Sequence, residues 1–393
     1  MTTLIVFSRL RWNFVYQRPQ QLLSRLARRF PVVFLEEPMQ GAAADTLECL
    51  YPCAGVEVLR PHLHGGASGF HDDHIPTLRM LLAHHLETHA INDYWLWFYT
   101  PMAMPLATGL PAGGVVYDCM DELAAFRHAP RQLLQRENAL FRQADLVFAG
   151  GQSLYESKRD RHAAVHCLPS SVDAAHFAPV AGAAARAPAT GRADAPRIGY
   201  YGVIDERMDL ELIDALARAR PDWDIVMVGP VVKIDPASLP RSANLHWLGQ
   251  RDYAELPALV AGWDVCMMPF ALNEATRFIS PTKTLEYLAA DKPVVSTPIR
   301  DVVEPYAGVV AIAATPAEFV AACERALART PGERRADADA RASVVVGTSW
   351  DKTAARMIEL IDEVRARRRR RAARGSVQQA SPLPPARPAS AVA

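Results

Sequence analysis

Short apolar runs alternate along the chain with stretches whose apolar residues recur every three or four positions. Near the start, the runs Leu4–Ser8 and Val32–Glu36 flank a stripe formed by Leu22, Leu23 and Leu26. Short apolar runs are typical of buried strands, whereas recurrence at i, i+3 and i+4 is typical of a helix. The order strand, helix, strand predicts a parallel sheet covered by helices.

The same alternation continues in both halves of the chain. Further strands of the first half are predicted at residues 57–60, 93–100, 114–121, 145–149 and 165–169, with helices at 131–144 and 153–161, the latter capped by Ser153. Strands of the second half are predicted at 197–204, 224–230, 245–249, 265–270 and 293–297, with helices at 210–220, 281–291, 316–327 and 350–371. The pattern therefore predicts an α/β protein with two sheets.

Two changes of composition divide the chain. Residues 181–195 consist almost entirely of Ala, Gly, Pro, Arg, Thr and Asp, and residues from 378 onward are rich in Pro, Ala and Ser. Such stretches are typical of linkers and disordered tails. We predict a first domain over residues 1–178, a linker over 179–196, a second domain over 197–349, a final helix over 350–371 and a disordered tail over 372–393.

The segment from Ser280 to Thr297 carries the most specific chemistry. Ser280 and Pro281 are predicted to open a helix on which Lys283 and Glu286 lie on the same side, because they are three residues apart. A lysine at a helix start offers phosphate a full charge beside free N–H groups, and a carboxylate one turn on can accept hydrogen bonds from a ribose. This indicates a nucleotide-sugar pocket, although the same spacing also fits a solvated ion pair.

A second candidate segment follows the first strand of the second domain. Gly202 would let the backbone approach a pyrophosphate, and Arg207 can pair with it bidentately. No Gly-x-Gly-x-x-Gly motif follows the first strand of either domain, and the chain has no P-loop. These absences argue against a dehydrogenase or a kinase.

The first domain offers candidates for a second substrate and for catalysis. The loop after the first strand carries Arg9, Trp12 and Arg18, at the carboxyl edge of the sheet where parallel sheets bind ligands. Asp118 and Asp121 end a later strand at the same edge and are candidates for a general base, Asp121 being favoured. The loop can instead be simple surface packing, and the two aspartates can instead cap a turn and a helix.

The composition of the chain bears on whether it binds nucleic acid or a metal, and on the state of its cysteines. The 393 residues have a formal net charge of zero, so no nucleic-acid partner is expected. The six cysteines lack zinc spacing: Cys49 and Cys53 come nearest, and His85 and His89 are one helical turn apart without a Glu or Cys that completes a ligand set, so no metal site is predicted. Scattered cysteines in apolar runs indicate reduced thiols and a cytoplasmic protein.

The ends of the sequence bear on location. The N-terminus lacks the pattern of a signal peptide, and no apolar run is long enough to cross a membrane. Residues 365–371 contain six arginines in seven positions. They can attract anionic lipid at the inner face of the cell membrane or simply keep the chain soluble.

Taken together, these motifs resemble glycosyltransferases of the GT-B fold. The resemblance rests on residues 202–207, on Gly229-Pro230 and Leu248-Gly249, and on the motif Ser-Pro-Thr-Lys-x-x-Glu at residues 280–286. The segment from Trp12 to Gln21 is also similar to bacterial enzymes of exopolysaccharide and teichuronic-acid-type assembly. The resemblance to the GT-B fold implies two Rossmann-like parallel-sheet domains facing a cleft, with the C-terminal helix crossing back to the first domain.

The resemblance also implies a reaction and a division of roles. The donor would be a nucleotide-diphosphate sugar, UDP- or GDP-linked, transferred without a cofactor or metal to a saccharide or lipid-linked acceptor in cell-surface polysaccharide synthesis. The second domain would bind the donor and the first domain the acceptor. The donor site would comprise Gly202, Arg207, Gly229, Gly249, Ser280, Thr282, Lys283 and Glu286.

One position departs from the family pattern. The large retaining family carries a second glutamate eight positions before Glu286, where this chain has Phe278. Retention of configuration is therefore not implied, and an inverting enzyme would need a base such as Asp121. Two other functions remain open: a nucleotide-sugar epimerase of the same fold, and a non-catalytic subunit that binds a nucleotide sugar.

Overall fold

The computed structural model of the chain describes residues 1–127, 129–178 and 194–379. Most of the predicted linker, residues 179–193, and the end of the predicted tail lie outside them. The described residues form two parallel sheets, each covered by helices on both faces. The α/β fold class with two parallel-sheet domains is thus confirmed.

The first sheet is built from residues 3–167. Its strands are β1 (Thr3–Ser8), β2 (Val32–Glu36), β3 (Met39–Gln40), β4 (Thr46–Cys53), β5 (Val56–Leu63), β6 (Tyr94–Phe98), β7 (Val115–Cys119), β8 (Leu146–Ala149) and β9 (Val165–Cys167). Its helices are α1 (Arg18–Leu26), α2 (Ile75–Thr88), α3 (Leu133–Gln143), α4 (Gln152–Lys158) and α5 (Ala174–Phe177). The order is β3-β5-β2-β1-β6-β7-β8-β9, and β4 pairs antiparallel with β5 at one edge.

The second sheet follows the linker. Its strands are β10 (Arg197–Tyr201), β11 (Asp224–Val228), β12 (Leu245–Trp247), β13 (Val265–Met268), β14 (Val294–Ser296) and β15 (Val310–Ile312), in the order β12-β11-β10-β13-β14-β15. Its helices are α6 (Leu210–Ala219), α7 (Leu256–Ala261), α8 (Lys283–Ala289), α9 (Arg300–Tyr306), α10 (Pro316–Leu327) and α11 (Pro331–Val346), followed by α12 (Trp350–Gln379). In both sheets the strand order reverses beside the first strand, which is where ligands bind in such folds.

Alternation along β1 shows how the first sheet separates two cores. Ile5 and Phe7 pack in the core beneath α2, α3 and α4, whereas Leu4 and Val6 pack in the core on the other face. Successive side chains of a strand point to opposite faces, so a strand buried on both faces reads as one continuous apolar run. This is why β1 was recognisable from its sequence.

The last helix closes the core of the first domain, not that of the second. Trp350, Met357 and Ile361 of α12 are fully buried in the same core as Leu22 and Leu26 of α1. The helix continues to Gln379, so residues 372–379, which were predicted to be disordered, are helical. Within the described residues no helix combines the length and the apolar character that a membrane span requires.

The predicted N-cap residues of helices α4 and α8, Ser153 and Ser280, are wrong. Helix α4 begins at Gln152 after Gly151, and the backbone N–H of Ser153 is bonded by the carboxylate of Asp301, so Ser153 is not its cap. Helix α8 begins at Lys283 with Thr282 as its N-cap residue, two positions later than Ser280 and Pro281 implied. Because α8 has only seven residues, side-chain charge rather than the helix dipole must account for any anion binding there.

Polar contacts hold the two domains against each other along the cleft. Ser170 Oγ donates to the carbonyl of Ser280 at 3.2 Å and accepts from Thr282 Oγ1 at 3.1 Å. Gln21 donates to the hydroxyl of Tyr253 at 2.8 Å. These contacts bring the carboxyl edges of the two sheets face to face.

Candidate functional site

A cleft lies where the carboxyl edges of the two sheets meet. Its empty space is about 880 Å³, part of it open to solvent. The first domain contributes residues that follow β1, β7, β8 and β9: Val15, Tyr16, Gln17, Arg18, Met120, Asp121, Gly150 and Ser170. The second contributes residues around β10, β13 and α8: Tyr200, Tyr201, Gly202, Val203, Arg207, Phe270, Ile279, Ser280, Pro281, Thr282, Lys283 and Glu286.

Lys283 lies at the centre of the second domain's wall. It begins α8, and its Nζ is 5.3 Å from the ring centroid of Tyr200 and 5.2 Å from that of Phe270. Burial among these rings lowers the pKa of Lys283 to about 8, with Arg207 adding to the effect. The ammonium group therefore lacks the hydration that it would have in water, and contacts with an anionic ligand would take the place of that hydration.

Glu286 lies one turn further along α8 and is almost completely buried. The hydroxyl of Tyr201 donates to its Oε2. Burial raises the pKa of Glu286 to about 7, so the carboxyl group is partly protonated at neutral pH. It lines the cleft, where it can hydrogen-bond a polar ligand in either protonation state.

Arg207 is held rigidly by a neighbouring acid. Its Nε and Nη2 donate to the two oxygens of Asp205, each at 2.9 Å. Burial disfavours the charge of Arg207, but the hydrogen bonds that it donates to Asp205 outweigh that effect and keep its pKa above the ordinary value. Since Asp205 occupies one edge of the guanidinium, the predicted bidentate pairing with a pyrophosphate would have to use the remaining N–H groups.

Three cations surround the ring of Phe126, and sequence reasoning identified only two of them. The guanidinium carbons of Arg9 and Arg207 lie 5.5 and 5.6 Å from its centroid, and Lys233 Nζ lies 4.7 Å away. Lys233 has a left-handed backbone with φ of 62°, which is strained for a residue with a side chain. Burial raises the pKa of nearby Glu37 to about 7, although the charges of Arg9, Arg11 and Lys233 act to lower it. No motif marks Phe126, Lys233 or Glu37.

The predicted glycines have different surroundings. Gly202 and Gly229 have φ of 142° and 146°, and a Cβ on Gly229 would lie 1.8 Å from the carbonyl oxygen of Gly202. A Cβ on Gly202 would lie 2.9 Å from Cε of Lys283, so this glycine leaves room for the lysine. Gly249, with φ of 68°, has open space beside it. Of the three, Gly202 lines the cleft directly.

The two candidate bases occupy different environments. Asp121 lines the cleft and its Oδ2 is 3.3 Å from Nη2 of Arg9. Asp118 is 0% exposed beneath Arg18, which donates to its Oδ1 at 3.0 and 2.9 Å. Asp118 therefore positions Arg18, whereas Asp121 can reach a substrate.

The remaining predicted residues also divide into those that line the cleft and one that packs away from it. Ser280, Thr282 and Arg18 line the cleft. Trp12 instead packs edge-on against Phe34 at 5.2 Å, and its backbone N–H donates to buried Glu36 at 2.7 Å. Its indole is used to hold the loop on the first domain.

Replacing Asp118 with alanine is expected to destabilise the protein by about 3–5 kcal/mol, because it leaves the buried charge of Arg18 without its partner. The measurement is denaturant unfolding at pH 7. Glu359→Ala, which removes a pair with Arg356 on the exposed face of α12, is the control and should cost no more than about 1 kcal/mol. Equal losses in both variants would contradict the importance of the buried pair.

Comparison with known proteins gives the class of the molecule. The fold matches that of a sucrose-phosphate synthase from Thermosynechococcus elongatus, with a TM-score of 0.72 at 17% identity over 93% of this chain and 100% of that one. It also matches HepE of Anabaena, solved in complex with UDP and glucose, with a TM-score of 0.65 at 15% identity over 92% of this chain and 100% of that one. The protein thus has the GT-B fold of glycosyltransferases.

Sequence comparison is more specific for the second domain. Residues 195–329 match the family described as glycosyl transferases group 1. A Bacillus subtilis protein named as a teichuronic acid biosynthesis glycosyltransferase, TuaH, is 28% identical over 261 residues. That match spans 61% of this chain and 64% of the relative, so it falls short of two thirds of the relative's length.

Proposed function

We propose that the protein transfers a sugar from a nucleotide-diphosphate donor, UDP- or GDP-linked, to a saccharide or lipid-linked acceptor of a cell-surface polysaccharide. The observation that carries the proposal is the convergence of Lys283, Arg207 and Glu286 on one wall of the cleft, opposite Asp121. Cations in a partly desolvated cleft favour a dianionic group strongly, because the surrounding dielectric is low.

The donor is held mainly by the second domain in this proposal. Lys283 and the free N–H groups of Arg207 bind the diphosphate, and Glu286 accepts a hydrogen bond from the ribose. Gly202 allows the backbone to approach the phosphates. Support comes from the group 1 domain match and from HepE, a protein of the same fold whose complex contains UDP.

The transfer step in this proposal is a single displacement. The carboxylate of Asp121 takes the proton of an acceptor hydroxyl, whose oxygen forms a bond to C1 of the donor sugar. The bond between C1 and the diphosphate oxygen breaks, and the nucleoside diphosphate leaves with that electron pair. Lys283 and Arg207 stabilise the charge that develops on the leaving group.

The acceptor site belongs to the first domain in this proposal. Arg18 lines the cleft, and Arg9 lies beside the cleft residue Asp121, with its Nη2 3.3 Å from Oδ2. Lys233 adds a third cation from the second domain, against the same ring of Phe126 as Arg9. The name of TuaH, which refers to teichuronic acid biosynthesis, supports a cell-surface glycan as the product class.

A thermal-shift titration tests the donor site. Uridine, guanosine and adenosine diphosphates and their sugar conjugates are compared with the free nucleosides, which lack the group that the cations bind. A ligand at 100 times its dissociation constant should stabilise the protein by about 2.7 kcal/mol, and the nucleosides should give no comparable shift. A protein that melts unchanged with every diphosphate would overturn the donor site. Consumption of the donor with no acceptor present would instead favour the epimerase.

We also propose that the basic part of α12 lies against an anionic lipid surface. Arg367, Arg369 and Arg370 are exposed, whereas Arg368 is bonded to Asp145 and to the carbonyl of Gly113. Each exposed arginine near such a surface contributes on the order of 1 kcal/mol. Co-sedimentation with vesicles that contain phosphatidylglycerol tests this, and binding equal to that of neutral vesicles would contradict it.

A further inference from the structure

Three side chains that can each ligate a metal ion meet on the first domain, outside the cleft. The thiol of Cys49, a carboxylate oxygen of Glu57 and a ring nitrogen of His85 all lie within 4.8 Å of one another. They come from three separate elements: β4, β5 and α2. We propose that Cys49, Glu57 and His85 bind one zinc ion.

Strand geometry explains why these side chains meet. Cys49 lies opposite Leu59 in the antiparallel pair β4–β5, and Glu57 shares the face of Leu59 because side chains alternate along a strand. That face packs against α2, where Leu59 and Leu82 belong to one core. His85, one turn after Leu82, therefore points at the start of β5, with Nε2 3.2 Å from Oε2 of Glu57.

The surroundings of the cluster suit a ligand set. The side chains of His85 and Glu57 are 3% and 14% exposed, so two of the three donors are fixed by packing. The other oxygen of Glu57 accepts a hydrogen bond from Tyr51 at 2.8 Å, which orients the carboxylate as partners behind metal ligands do.

The types of ligand atom in the cluster indicate which metal it would bind. Zinc accepts sulfur, nitrogen and oxygen ligands in one site, whereas calcium and magnesium require oxygen. Three protein ligands leave a fourth tetrahedral position for water, on the exposed side of Cys49. Without Cys49, the hydrogen bond between His85 and Glu57 would be an ordinary contact between helix and sheet. The thiol beside this pair is what indicates a metal site.

The position of the cluster assigns the ion a structural role. Glu57 pairs with Val33 near the start of β2, whereas the cleft lies beyond the carboxyl ends of the strands. The site is therefore at the opposite end of the first sheet from the donor pocket. An ion there would fasten the edge hairpin β4–β5 to α2 without taking part in sugar transfer.

The test uses the full chain, kept reduced and stripped with a chelator. Zinc is titrated in competition with a chromophoric chelator, and cobalt(II) is used as a spectroscopic probe because a thiolate ligand gives it a charge-transfer band. We expect one equivalent to bind with a dissociation constant below about 1 μM. Zinc should also raise the melting temperature.

Two serine variants make the test specific. Cys49→Ser should lose the charge-transfer band and bind zinc at least about 100-fold more weakly, since loss of even an indirect partner of a metal costs about 10- to 100-fold. Cys53→Ser removes another exposed thiol of the same strand and should behave as the wild type. Both positions are exposed, so both variants should fold, which circular dichroism checks. Absence of submicromolar binding, or equal binding by the two variants, would overturn the proposal.

Discussion

Replacing Asp121 with asparagine is expected to lower the rate of sugar transfer by about 100- to 10,000-fold while leaving donor affinity nearly unchanged. The range is that of a lost general base, because asparagine keeps the shape of the side chain but cannot take a proton. Donor affinity should persist because the proposed donor contacts come from the second domain. Single-turnover transfer and titration with the nucleoside diphosphate measure the two quantities separately.

A matched variant separates this effect from general damage to the first domain. Asp145 precedes β8, the neighbour of β7, and lies at the end of the sheet away from the cleft, where it bonds Arg368. Asp145→Asn makes the same chemical change there and should retain transfer. If Asp121→Asn lost less than about tenfold, the carboxylate would not be the base. The anomeric configuration of the product, inverted in our proposal, provides an independent check.

Replacing Lys283 with methionine is expected to weaken nucleoside diphosphate binding at least about 30-fold at pH 7, because removing one member of a buried charge pair costs about 2 kcal/mol or more. The variant should nevertheless be folded and no less stable without ligand. The lowered pKa of Lys283, about 8, means that its charge is unfavourable in the empty cleft, and methionine retains the apolar stem without that charge. Calorimetric titration and thermal unfolding measure both effects.

The pH dependence of binding gives the same residue a second signature. Below pH 8 Lys283 is charged in the empty protein and ready to bind the diphosphate. Above pH 8 the lysine is neutral, so binding must take up a proton, and the affinity should fall toward tenfold per pH unit. The terminal phosphate is ionised throughout this range, Arg207 stays charged, and Glu286, with a pKa of about 7, is ionised by pH 8. Affinity that is flat from pH 7 to 9 in the wild type would contradict the assignment.

The elements that could be predicted from sequence are those buried on a regular pattern. Val32–Glu36 and Pro316–Leu327 have the predicted bounds, the first because every residue is buried and the second because Pro316 opens a helix with an apolar stripe. Strand β4 is mostly exposed along its length, so it has no apolar pattern, and its partner β5 was predicted only in part. Helix α11 is polar on most sides and was missed for the same reason.

The candidate site could be predicted only where its residues form a local motif. Lys283 and Glu286 lie on one short segment, so their convergence on a pocket was visible from spacing. The grouping of Lys233 with Arg9 around Phe126 depends on loops from both domains meeting across the cleft. No spacing along the chain encodes that meeting.

Helix α12 sets the order in which the two domains can finish folding during synthesis. Trp350 and Met357 fill a core whose other walls are made near the N-terminus, by α1 among others. At about 5–20 residues per second, a ribosome needs roughly 10–40 s to travel from the end of the first domain to this helix. During that interval the second domain can fold by itself, while the first domain has an uncovered apolar face. Synthesis that stops before Trp350 would therefore yield a chain whose second domain is complete but whose first domain is exposed to chaperones, proteases and aggregation.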